Sequence, residues 1–217
     1  MDAPSRYDIR DASFEDFVAF LFAHDVVPSP GNPWYWRAEV DYEPRRIASY
    51  YVRLFSAPRL LLSRFSVGEL QQGFWAIQNG ILECSARNII WDRTVPFEIR
   101  ADCVRSMADL YAQLFVEEPL ETASNMWWDS LAYDWHCGNR ARANGGEDRL
   151  MQDVMFATLG KILDVPSESC QTAALHGLGH LHHPDTNELV QSYLARNPSI
   201  TPDLREYALA AAQFRVL

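Results

Sequence analysis

Six histidines occur in this 217-residue chain, and four of them crowd into AALHGLGHLHHPD, residues 173–185. His176 and His180 are spaced i,i+4, so on a helix they lie one above the other on one face. Neutral imidazole is a good ligand for zinc and its neighbours, and two at this spacing can chelate one ion. His183 follows one further turn along. The protease pattern H-E-x-x-H also needs a glutamate after the first histidine to act as general base. Here that position is Gly177, and no Asp or Glu falls between residues 170 and 183. A third ligand must therefore arrive from elsewhere; His24, His136 and Asp134 are the candidates. The same stretch reads differently if its small and apolar residues face inward. His176 and His180 then stand at a solvent-exposed rim as part of a contact surface, with no metal or other cofactor required. The residues favour this second reading.

A second constellation is WWDSLAYDWH, residues 127–136. Trp127, Asp129, Tyr133, Asp134 and His136 could form a groove of aromatic anchors and carboxylates for a basic or planar partner. Asp134 with His136 could serve as an acid/base couple. Against both stands plain core packing by Trp128, Leu131 and Trp135, which is what tryptophan most often does. The G-x-S-x-G, G-x-x-x-x-G-K-[ST] and G-x-G-x-x-G signatures are absent, so nucleophile-elbow and phosphate-loop chemistries have no sequence support.

The formal net charge is −10 and no basic run of five residues occurs. That balance opposes nucleic-acid binding and favours a basic partner or simple solubility. Cys84, Cys103, Cys137 and Cys170 show no C-x-x-C spacing, which suggests reduced thiols in a cytoplasmic protein. The polar N-terminal stretch lacks an apolar signal-type segment, and no apolar run approaches membrane-spanning length. No membrane association is expected.

The elements that must position these residues read as helices. Ser13 caps 13–24, Pro44 opens 44–55, and Ser66 with Glu69 forms a capping box for a helix carrying Leu70, Phe74, Ile77 and Ile81. Further helices are predicted over 96–116, 122–136, 147–163, 167–182 and from Pro184 and Thr201 onward. Leu150, Val154, Phe156, Leu159 and Ile162 mark the apolar side of 147–163. Residues 25–42, with three prolines and a glycine, read as a loop whose Trp34, Tyr35 and Trp36 fold back onto the core. Convincing alternation is missing, so strands are not expected. The prediction is a single all-α domain over 1–217 with about nine helices.

The C-terminal third adds a resemblance. AALHGLGHLHHPDTNELVQSYL reads A-A-L-x-x-L-G-x-L-x-x-P before a second amphipathic helix, and LREYALAAAQFRVL begins again in the same style. About residues 150–217 thus resemble the HEAT-like repeat of α-solenoids, with His182 and His183 in place of the usual Gly-Asp turn. Together with MWWDSLAYDWHCGNR, the stretch also resembles uncharacterised bacterial proteins of unknown function. The repeat implies an irregular helical superhelix that binds another protein without catalysis, for instance as an immunity-type protein against a basic toxin. The alternative is a metal-dependent enzyme using His176 and His180.

Overall fold

The structure, a computed structural model, describes residues 5–27 and 31–216. It is mostly helical, as the periodicity predicts. The chain divides into two compact units, one ending at Leu110 and one starting at Tyr111.

The first unit holds β1 (Ser5–Asp8), α1 (Phe14–Phe22), β2 (Ala38–Asp41), α2 (Pro44–Ser56), α3 (Arg59–Leu62), α4 (Val67–Gln78), α5 (Ala86–Ile89) and α6 (Phe97–Leu110). The expected caps form: Ser13 Oγ accepts from the Asp16 N–H, Ser66 Oγ from the Glu69 N–H, and both acids return the bond. α2 packs on α6 and α1 on α4, around fully buried Phe17, Leu21, Tyr51, Leu54, Phe74 and Met107.

Three expectations fail here. Residues 25–42 are not all loop: Trp34–Trp36 form a 3-10 turn, and β2 pairs in parallel with β1 from Ser5↔Ala38 to Asp8↔Asp41. Four-residue strands are too short for alternation to register. Of the three aromatics Tyr35 is buried, whereas Trp36 is 49% exposed. Pro28, Ser29 and Pro30 of that loop lie outside the described residues. The helix drawn through Ile81 also stops early, at Gln78, because Asn79-Gly80 breaks it; Ile81 is exposed.

The second unit opens with a π-turn over Tyr111–Phe115, where the predicted 96–116 helix loses its regular pitch. It continues with α7 (Glu121–Asn125), α8 (Trp127–His136), α9 (Gly146–Leu163), α10 (Glu168–Leu181), α11 (Thr186–Arg196) and α12 (Pro202–Ala211). The single helix expected over 122–136 is two, α7 and α8, broken at Met126. On α9 the buried side carries Met151, Met155, Leu159 and Ile162, and Leu150 faces solvent. Leu159 and Ile162 lie inside as predicted, but nearer the helix start Met151 and Met155 are buried in place of Leu150 and Val154, since Met serves the core as well as Leu.

α10 is the hub of this unit. It touches α7, α8, α9 and α12, and every residue from Ala173 to Leu181 is buried. Gly177 makes the contact with α8 possible. A Cβ there would lie 2.7 Å from Trp128 Cβ and 2.7 Å from Leu159 Cδ2, distances no side chain tolerates. The helix ends with His182 in the left-handed region (φ 53°), where glycine is the usual residue. Buried Gln152 of α9 compensates: its Nε2 donates to the Leu181 carbonyl at 2.8 Å, satisfying an orphan acceptor of the last turn.

Candidate metal centre

The close approach of α8 to α10 has a direct chemical result. Asp129 follows Trp128 in the first turn of α8, where the positive end of the helix favours a carboxylate. Its Oδ1 lies 3.1 Å from His176 Nε2 and 2.9 Å from His180 Nε2. The two Nε2 atoms are 3.1 Å apart. Two nitrogens and one oxygen thus form a nearly equilateral triangle contributed by two helices.

His176 and His180 are buried, with relative exposures of 8% and 3%. The expectation of rim histidines is therefore wrong. A solenoid register leaves those positions free, but α10 is enclosed on several sides, so a residue off the α9 face meets α8 or α12. Asp129 is the least buried of the three, with its side chain 28% exposed.

Each ring has a distinct setting. His176 Nδ1 lies 2.6 Å from the Tyr207 hydroxyl of α12, and the two rings are nearly parallel at 4°. His180 Nδ1 is buried and finds no hydrogen-bond partner among the described residues. Burial pushes the His180 imidazole down to about 4; nearby His176, His136 and His182 add to this, and Asp129 partly offsets it. At neutral pH this ring is uncharged and keeps a lone pair for coordination.

The donor set fits a divalent transition ion. Imidazole with carboxylate suits zinc, iron, cobalt or nickel better than calcium or magnesium, which prefer oxygen. Asp129 Oδ1, His176 Nε2 and His180 Nε2 are the atoms that would hold such an ion. Three protein ligands leave further positions for water or substrate. Among the described residues, Asp129, His176 and His180 are the group whose ligating atoms gather this closely.

The remaining candidates divide. None of the three proposed third ligands takes that role. His136 stands beside the triangle, its ring edge-on to His180 at 4.9 Å and its Nδ1 3.2 Å from His182 Nε2. His24 belongs to the first unit, where it stacks on Trp34 at 3.9 Å and its Nε2 donates to the Phe20 carbonyl. Asp134 is held by Arg140 and Asn139, each at 3.3 Å, so it forms no couple with His136. His183 turns away to Asp153 at 2.9 Å and stacks on Phe156. Trp127 is fully buried and is no contact surface; Trp128, Leu131 and Trp135 pack the core as the plainer reading expects. Tyr133, 47% exposed, stacks on His136.

Asp129 was legible as a polar residue in an aromatic helix, but no spacing rule links it to histidines 47 and 51 positions away. Tyr207 carried no signal. Set beside known protein families, curated proteins and solved structures, the chain matches none of them.

Proposed function

We propose that this protein is a metal-dependent enzyme whose centre is Asp129, His176 and His180. The observation that carries the proposal is the convergence of three ligating atoms within 3.1 Å of one another. A divalent ion bound by three protein ligands with open positions lowers the pKa of a bound water and polarises a substrate oxygen, the basis of metal-assisted hydrolysis. This chain's part is to hold the ion with two neutral imidazoles and one carboxylate. Packing of α8 against α10 fixes their directions and buries His180. Elemental analysis of protein purified without a histidine tag, after incubation with zinc, iron(II) or cobalt(II) and dialysis, tests the reading. About one bound ion per chain is expected, lost in the His176→Ala/His180→Ala double variant. Absence of stoichiometric metal under all three conditions overturns it.

A second reading is a non-catalytic scaffold, with a HEAT-like part near 150–217, that binds a basic protein in the cytoplasm. It is supported by the net charge of −10 and by the exposed ring of Tyr133. A pull-down that returns only acidic partners, or none that weaken with Tyr133→Ala, counts against it.

A further inference from the structure

The two imidazoles of the triangle are not equivalent, and the difference lies in α12. His176 has a partner on the nitrogen facing away from the triangle, the Tyr207 hydroxyl at 2.6 Å. His180 has none among the described residues. A histidine binds metal through one nitrogen only when its proton sits on the other, and an acceptor at that other nitrogen holds the proton there. We infer that Tyr207 is the positioning residue of the centre: it accepts a hydrogen bond from His176 Nδ1–H and so turns the Nε2 lone pair toward Asp129 and His180. The inference rests on the metal-centre reading and adds to it a link between the ion and the C-terminal helix.

The geometry supports this in three ways. The hydroxyl distance is short for a phenol–imidazole contact. The two rings also lie nearly parallel, 4° apart, and a hydroxyl accepts through an oxygen lone pair while its own proton turns elsewhere. α12 also packs directly on α10, so the hydroxyl is placed by a core contact, not by a mobile chain end. Because whatever holds the ligand also gains from the ligand, an ion bound by His176 should in turn hold α12 in place through Tyr207.

The test compares wild type with Tyr207→Phe, which keeps the ring and removes the hydroxyl. Cobalt(II) titration, read by its visible absorption, gives the affinity. Nitrogen-15 shifts of His176 report which ring nitrogen carries the proton, a property that a merely structural role for Tyr207 would leave alone. Backbone hydrogen exchange of α12 is measured with and without zinc. We expect Tyr207→Phe to weaken cobalt by roughly 10–100-fold, to shift the His176 proton away from Nδ1, and to abolish the zinc-dependent slowing of exchange in α12. Unchanged affinity and unchanged His176 shifts in Tyr207→Phe, with wild type binding normally, overturn this inference and leave the centre standing. If wild type itself binds no cobalt, the metal-centre reading falls and this inference with it. If Tyr207→Phe fails to fold, the wild-type His176 shifts in the cobalt-free protein still decide. A proton found on Nε2 in the metal-free wild type overturns the role.

Discussion

Gly177 of α10 faces Trp128 of α8 so closely that a single added carbon would come within 2.7 Å of Trp128 Cβ. The position where a helical zinc protease would carry glutamate is here the point where two helices touch. The acid then arrives from the neighbouring helix, as Asp129, one residue after the tryptophan that Gly177 admits. This contact sets the distance across which the three candidate ligands meet.

Gly177→Ala should therefore destabilise the protein, although alanine is intrinsically the better helix former by about 1 kcal/mol. Trp128 Cβ cannot swing aside, and overpacking of this kind costs about 1–3 kcal/mol. A net loss of up to about 2 kcal/mol is expected in urea unfolding, together with weaker metal binding. A variant as stable as wild type would show that α8 and α10 separate freely.

Asp129→Asn preserves shape and removes the anionic donor. Metal affinity should fall by more than about 100-fold, a larger effect than loss of an outer partner, while thermal stability without metal changes little. Competition against a chromogenic chelator measures it. Retention of wild-type affinity would place the third ligand elsewhere.

Stability should depend on pH through His180. Its folded pKa is depressed to about 4 by burial, whereas an unfolded histidine titrates near 6.5. Between these values the unfolded chain binds the proton that the folded chain refuses. The contribution is therefore complete above about pH 6.5 and is lost as pH falls toward about 4. His24 and His182, also lowered by burial, act in the same direction. Urea midpoints from pH 8 to pH 4 should fall over that window, and His180→Gln should flatten the slope without removing it.

Gln152→Leu should cost about 1–3 kcal/mol, because it leaves the buried Leu181 carbonyl without its donor. Leucine is of similar size, so little of the loss can be assigned to a cavity. Guanidinium unfolding at pH 7 checks it, and an unchanged midpoint would mean that water or another donor already serves that carbonyl.

Capping boxes, N1 prolines and i,i+3/i+4 apolar spacing made most helices legible, because they act through neighbours within one turn of chain. Ser13, Ser66 and Pro44 open helices where the sequence places them. The i,i+4 pair His176 and His180 was legible for the same reason. Their burial was not, because whether a helix face meets solvent depends on how many other helices enclose it. α10 is touched by four, so the histidines that a repeat pattern would leave outside lie inside. Asp129 and Tyr207 came from other helices, 47 and 31 residues from His176, separations at which no local periodicity operates. The sequence by itself determined a helical chain, its caps and one ligand pair. Only tertiary packing decided that the pair faces a carboxylate on one side and a phenol on the other, because those contacts are set by helix crossings and by the absent side chain of Gly177.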